Sequence, residues 1–350
     1  MNARVAAILV ILLAVLGGGA LLYQQQERAA RPDNVGTLGK VLFKDLKAAD
    51  IAAIRIVEPK ATLTLQRKDE RWLIAERADF PADLSRVREF VLKVIALKIG
   101  QSEPLGEKDR GRLSLDEPGK NSTTAGTQVA FLAADGKTLG DFIVGRNYFK
   151  REVDNPERAI PDGRFVALPG EAGTAYLVGD ALAQATAKTA EWIDRTSFQV
   201  EKVKSLEVRY PGGGGYRIER AKDNAEWKLA GAKPGEKLDI SRANAASYSL
   251  SLLELADVAP KDPDAKMTGL DQPIAIDAVT FDGASYAIKV GTLSGENYYV
   301  RFAASGIKPD AKDAERVKIL SPHVLLVPKS KLEDTLRKRA ELLEKKDRKK

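Results

Sequence analysis

The chain has 350 residues, 44% hydrophobic and 30% charged, enough to fill the cores of about two or three globular domains, and its composition is neither fibrous nor disordered. Its formal net charge is +7, but ten basic and five acidic residues from Lys329 to Lys350 carry +5 of it, so the body lacks the broad basic face that a nucleic-acid backbone requires. Cysteine is absent, which excludes disulfides, thiol nucleophiles, thiolate metal sites and a lipoprotein anchor.

The first element is a membrane segment. Residues 5–23, VAAILVILLAVLGGGALLY, carry no charge, and as a helix they span about 28 Å, close to the roughly 30 Å hydrocarbon core. Gly18 and Ala20 have the spacing of a signal-peptide cleavage site. Against cleavage, the run exceeds the usual apolar core of about 7 to 15 residues and only Arg4 precedes it, so we expect an uncleaved anchor over residues 1–23. Arg4 before the span and Arg28, Arg31 and Lys40 after it leave sidedness open by charge. Residues 24–40, polar and turn-rich, read as a tether.

The body then says the same thing twice. Aligning Trp72 with Trp227 sets IAAIRIVEPKATLTLQRKDERWLIA (51–75) against VKSLEVRYPGGGGYRIERAKDNAEWKLA (203–230), each an alternating strand, a turn, a second strand and a short strand at the tryptophan. PGGGG (211–215) falls where the first copy has PKA (59–61). It lacks the GK[ST] ending and the following helix of a phosphate loop, so it reads as a hairpin connection.

Next, Leu84-Ser85-Arg86 matches Ile240-Ser241-Arg242. Each follows a capping residue and opens an apolar-periodic run, VREFVLKVIALKI and ANAASYSLSLLELA, expected to be helical to near Pro104 and Pro260. LSLDEPGK (113–120) then matches TGLDQPIA (268–275). Asp116 and Glu117 could serve as a general acid and base, but the second copy has Gln272 in place of Glu117 and the prolines signal turns.

TQVAFLAADGKTLGDFIVGRNY (127–148) matches DAVTFDGASYAIKVGTLSGENYYV (277–300), with hairpin turns at ADG (134–136) and FDG (281–283), Gly145 against Gly291, and Asn147-Tyr148 against Asn297-Tyr298. Residues 164–194 and 317–346 close each copy, both read as strand, turn, strand and terminal helix. The expected fold is thus α+β: two tandem homologous units of antiparallel β-meander plus helices, residues 41–195 and 196–346, after one N-terminal transmembrane helix and before a basic tail at 347–350.

Little of this points to a reaction. Positions shared by the copies read as architecture. His323, the only histidine, lies beside a predicted strand in a chain without a GxSxG motif, so it reads as a bystander. DPDAKM (262–267) lacks the ligand spacing and glycine of a calcium loop. The end of the chain, KSKLEDTLRKRAELLEKKDRKK, reads as an apolar stripe packed on the second unit, or else as a basic end meeting lipid headgroups or an acidic partner. No catalytic, cofactor-binding or metal residue is assigned.

The apolar segment at 5–23, the alternating strand leading into ERWLI (70–74), the FPADLSRV helix start at 80–87, and the second pass through EWKL and DISRA together resemble the family called domain of unknown function 4340. That resemblance implies a bacterial envelope protein, anchored in the cytoplasmic (inner) membrane with its body in the periplasm, and a companion of gliding-motility-type ABC transporters. We therefore expect a non-enzymatic accessory or scaffold subunit whose partners are that membrane, through residues 5–23, and transporter subunits. Two alternatives stand beside it: a glycan- or lipid-binding module using Trp192, Tyr148, Tyr298 or Tyr299 at an inter-unit groove, and an envelope hydrolase with an unrecognised carboxylate site.

Overall fold

The computed structural model describes residues 38–119, 123–151, 159–171, 173–195, 198–308 and 312–344. The expected membrane segment, all of the tether but residues 38–40, and the basic tail lie outside them. Among the described residues no helix is long and apolar enough to cross a membrane.

In chain order the first half gives β1 (Ala53–Glu58), β2 (Ala61–Lys68), β3 (Arg71–Ile74), β4 (Phe80–Pro81), α1 (Leu84–Ile95), β5 (Ile99–Pro104), α2 (Glu107–Arg112), β6 (Thr127–Leu132), β7 (Thr138–Arg151), β8 (Ala159–Ala167) and β9 (Thr174–Val178). The second gives β10 (Val203–Arg209), β11 (Tyr216–Glu219), β12 (Lys228–Leu229), α3 (Ile240–Tyr248), β13 (Asp257–Val258), α4 (Ala265–Thr268), β14 (Ile274–Thr280), β15 (Ser285–Ser294), β16 (Asn297–Ser305), α5 (Lys312–Leu320), β17 (Leu325–Pro328) and α6 (Lys329–Leu332). The fold is α+β, with two antiparallel sheets and few helices.

One sheet runs β4-β3-β2-β1-β6-β7-β8-β9-β5 and the other β12-β11-β10-β14-β15-β16-β17-β13. With β4 set aside the two orders are the same, strand for strand from β3/β12 through to β5/β13. In each, a three-strand meander meets the next four strands, and the strand after the helix returns to the far edge.

The local causes are those the sequence carries. The hairpins turn at Gly136 and Gly283, both at positive φ (83° and 91°), and the PGGGG stretch links β10 to β11 with Gly213 and Gly214 at positive φ. Asp83 Oδ1 accepts the Ser85 and Arg86 amides (2.9 and 3.1 Å), and Asp239 Oδ1 accepts the Arg242 amide at 3.2 Å, so equivalent aspartates cap α1 and α3.

The two helices are shorter than expected. α1 stops at Ile95, and Leu97-Lys98-Ile99 alternates buried, exposed, buried into β5, which pairs with β9. α3 stops at Tyr248; after a 3-10 turn over Ser249–Leu252 the chain becomes β13 on β17. The terminal helices expected to close each copy do not form at length: residues 180–194 contain only the 3-10 turn Thr189–Glu191, and 329–344 contain the four-residue α6 and the 3-10 turn Arg339–Leu342. Residues 317–320 belong to α5 rather than to a strand. Finally, Asn147-Tyr148 lies on β7 whereas Asn297-Tyr298 lies on β16, the strand matching β8, so that pair is not equivalent.

The described residues form two compact units: those up to Thr62 with those of Arg88–Ala187, and those of Leu63–Val87 with those from Lys188 onward. The core of the first holds Ile51, Ile54, Ile56, Val94 and Val129 with a phenylalanine ladder: Phe43 on Phe142 (ring centroids 5.4 Å), Phe142 on Phe131 (6.5 Å) and Phe131 on Phe90 (6.1 Å). In the second, Phe198 packs on Phe302 at 4.2 Å amid Leu206, Ile218, Ile276, Ile288 and Val300. Buried Thr335 there donates its hydroxyl to Ala246 O (2.6 Å), while its own carbonyl accepts the Tyr216 hydroxyl (2.7 Å).

One local device recurs. Gly145 in β7 and Gly291 in β15 each press against a carbonyl of the preceding helix turn, Leu113 O and Thr268 O. A Cβ at either position would overlap that oxygen. Glycine is what allows the loop after α2 or α4 to lie on the sheet.

Candidate functional site

Most of the side chains singled out by chemistry turn out to be occupied. Asp116 sits at a parallel bridge to Ala125 and accepts the Thr124 hydroxyl at 2.6 Å, which ties down the loop after α2. With Glu117 and Arg110 it borders a cavity of about 260 Å³ floored by Ile143 and Ala167. Nearby Asp141 has its carboxyl pushed above the usual carboxylate range by burial, with the charge of Glu117 adding to the effect and the Gln128 amide opposing it. Arg110 donates to Leu115 O at 3.4 Å.

His323 follows α5 in the second unit. Nδ1 lies 2.7 Å from Ile319 O and Nε2 3.1 Å from Ala78 O, and the ring meets Phe80 edge to face at 5.1 Å. Both nitrogens thus face backbone carbonyls, with no hydroxyl nucleophile between them. Trp192 is fully buried, with the Arg86 guanidinium 5.3 Å above its ring. Tyr148 is exposed and leans edge-on against Phe165, while Tyr298 and Tyr299 are half-buried on β16. None of these four rings lines any of the described cavities. Among the described residues no cluster of three or more His, Asp or Glu stands close enough to hold a metal.

The aromatics that do face a cavity are different ones. In the second unit a groove of about 640 Å³ runs between α3 and the start of β10, lined by Val203, Arg220, Trp227, Asn244, Ser247 and Tyr248 among others. Trp227 forms its inner wall: the ring is 3% exposed, Nε1 donates to Asn244 Oδ1 at 3.0 Å, and the Arg220 guanidinium lies 4.6 Å over it. Arg220 is held by Val203 O at 2.8 Å and by the Asp223 carboxylate at 2.7 Å. Tyr248, the last residue of α3, stands at the lip with 66% of its surface exposed. The groove can take a flat, partly polar ligand against an aromatic edge. In the sequence Trp227 reads as architecture, and the one signal at Tyr248 is an aromatic on the polar side of an amphipathic run.

A second hollow of about 360 Å³, also within this unit, lies beside β4, floored by Trp72, Phe80, Leu84 and Leu320 and rimmed by the Arg71–Glu315 ion pair (3.3 Å). Close by, Arg77 makes a two-pronged pair with Asp257 (3.1 and 3.0 Å), and Thr189 donates to the same carboxylate at 2.9 Å. These contacts are structural: they fix β13 and the 3-10 turn at 189–191 against the segment after β3.

No curated protein and no solved structure matches the chain. A family profile does, that of Domain of unknown function (DUF4340), over residues 72–273, which is more than half of the 350 residues and runs from the first repeated tryptophan past the second aspartate turn. The chain belongs to the DUF4340 family.

Proposed function

We propose that the protein is a non-enzymatic accessory or scaffold subunit, held in the cytoplasmic membrane by residues 5–23, with a periplasmic body that docks on the subunits of an ABC transporter. The body is a duplicated lobe, residues 41–195 and 196–346. The observation that carries this reading is the repeated strand order of the two sheets, together with the matched Gly145 and Gly291 approaches. A chain that builds one lobe twice, and commits Asp116, His323 and Trp192 to holding it, is organised to present surface. The uncharged run at 5–23 and the tether supply the attachment. The resemblance described above supplies the partner class.

Affinity purification of the full chain from native membranes in mild detergent tests this. Transporter subunits should be enriched with it; recovery of the chain alone, under conditions that keep the transporter itself assembled, would remove the proposal.

A second reading is favoured by the groove beside α3: a ligand-binding module that uses Tyr248, Trp227 and Asn244 rather than Trp192, Tyr148, Tyr298 or Tyr299. It predicts that Tyr248→Ala abolishes binding of a glycan or lipid headgroup while leaving thermal stability unchanged, and a panel of such ligands that gives no response in Trp227 fluorescence would dismiss it.

A further inference from the structure

The groove beside α3 departs from the repeat at the positions that give it polarity. Counted from the capping aspartates, Asp83 and Asp239, the helix positions held by Arg88, Val91 and Leu92 in the first copy are held by Asn244, Ser247 and Tyr248 in the second. Val91 is 6% exposed and Ser247 9%, so a serine occupies a core position where the same fold carries valine. Its hydroxyl has no hydrogen-bond partner among the described residues, and the residue lines the groove. A buried hydroxyl without a partner costs stability, so the fold itself does not call for it. Trp227 is shared with the first copy as Trp72, whereas the polar groups beside it are particular to the second.

The groups on offer are of mixed kind. The indole Nε1 of Trp227 can only donate, so the Asn244 oxygen that receives it at 3.0 Å fixes the amide. Asn244 Nδ2 is left with two N–H groups and no partner among the described residues. On the β10 side stand exposed Glu201 and Lys202, neither in an ion pair among the described residues. Lys202 is held at φ 50°, a left-handed conformation uncommon for lysine, and its carbonyl accepts the Phe281 amide at 3.0 Å. The groove thus presents a donor-only amide, a donor-only ammonium, an acceptor-only carboxylate and a hydroxyl that does either. Ligand hydroxyls, which both donate and accept, satisfy all four.

Charge narrows the class. Arg220 is already spent: its guanidinium donates to Val203 O, Asp223 O and the Asp223 carboxylate, and its side chain is 15% exposed. Glu201 offsets Lys202. A phosphate or carboxylate would meet one lysine and a neighbouring carboxylate, not the convergent cations that bind such groups. Tyr248 supplies a single exposed aromatic face, which suits the C–H face of a sugar ring, whereas a heteroaromatic ligand is held best between two. The volume of about 640 Å³ lies within the range of about 300–1,000 Å³ common for small-molecule sites.

We infer that this groove binds a neutral saccharide, with Tyr248 stacked on one sugar ring and Ser247, Asn244, Glu201 and Lys202 hydrogen-bonded to its hydroxyls. The inference rests on the ligand-binding reading of the same groove given above. Asn244, Ser247 and Tyr248 are the residues that convert a repeated helix into a binding wall.

Saturation-transfer NMR on the full chain, in a detergent without a sugar headgroup, tests it. Maltotriose, cellotriose and triacetylchitotriose serve as neutral probes, and sn-glycerol 3-phosphate and phosphocholine as charged ones. At least one trisaccharide should show transfer, and Tyr248→Ala, at an exposed position, should abolish it. Ser247→Val, which restores the residue of the first copy, should weaken binding by about fivefold, as the loss of one hydrogen bond does, and leave the melting temperature equal or higher. A trisaccharide signal that survives Tyr248→Ala, or that Ser247→Val leaves at parental strength, overturns the inference. A lower melting temperature for Ser247→Val gives the hydroxyl a structural role and overturns its assignment to the ligand. Transfer to the charged probes alone, lost in Tyr248→Ala, overturns the neutral class and spares the groove as a ligand site. Absence of transfer to every probe removes both.

Discussion

Placing a methyl group at Gly291 should cost more than almost any other single change in the second sheet. The added Cβ would overlap Thr268 O and come within 3.1 Å of Thr268 C and 3.3 Å of Gly269 C, against an ordinary contact distance of 3.4–4 Å. The obstacle is backbone, and Thr268 is anchored: it is 2% exposed and its hydroxyl donates to Asp264 O and Ala265 O, each at 3.1 Å. Strand and loop must therefore part by about 1 Å, which places the cost at the upper end of overpacking penalties, about 3 kcal/mol. For a body of this size that is a fall in melting temperature of about 6–12 °C. Gly145→Ala meets the same obstacle at Leu113 O and adds a 2.7 Å approach to Leu115 Cδ2, so it should cost a similar amount. Gly179→Ala, with nothing within 4 Å of its Cβ, is the control and should be neutral or slightly stabilising. Thermal melts and urea titrations followed by circular dichroism read all three. If both Gly291→Ala and Gly145→Ala fall within about 0.5 kcal/mol of the parent, the matched approach does not carry the fold.

Asp239→Ala should lose about 1 kcal/mol through the α3 cap, measurable as a lowered urea midpoint with an unchanged m-value. Arg77→Ala strands the Asp257 carboxylate, whose side chain is 16% exposed, with Thr189 and a backbone amide as remaining partners; a loss of about 3 kcal/mol is expected, and Asp257→Asn in the same background should recover part of it. The raised pKa of Asp141 has a definite sign: a carboxyl whose folded-state pKa exceeds its unfolded value of about 3.9 adds stability below that value and loses it as pH rises through the folded one. Asp141→Asn should therefore match or exceed the parent near neutral pH and lose ground as the pH falls into the carboxylate range, as read from urea midpoints. Trp227→Phe removes the bond to Asn244 and should cost about 1 kcal/mol while leaving the sheet intact by circular dichroism.

Strands and turns were legible because their signals are local: alternation in residues 53–68 and 203–219, glycines at the hairpins, aspartates before α1 and α3. What stayed hidden was set by distant pairing. ALAQATAKTA has high helical propensity, yet the Asp83 backbone amide donates to Trp192 O, the Asp194 backbone amide donates to Pro81 O and Ile193 bridges to Ala82, and these long-range bonds hold residues 192–194 beside β4. The apolar run from Val87 continues past Ile95, but its last part changes from helical spacing to alternation and is claimed by β9. The match of Asn147-Tyr148 to Asn297-Tyr298 rested on identity of residues, and it failed because the β7–β8 arm is longer than its counterpart. The groove at Tyr248 could not be read at all, since it exists only where a helix end meets the start of a strand far from it in sequence.

The most direct test of the account concerns where the body resides. In intact cells, full chain carrying Lys137→Cys should react with a thiol reagent that cannot cross the cytoplasmic membrane, and the protein should stay with the membrane fraction through alkaline carbonate extraction. Labelling that appears only after lysis, or release of the chain by carbonate, would contradict a periplasmic body hung from residues 5–23.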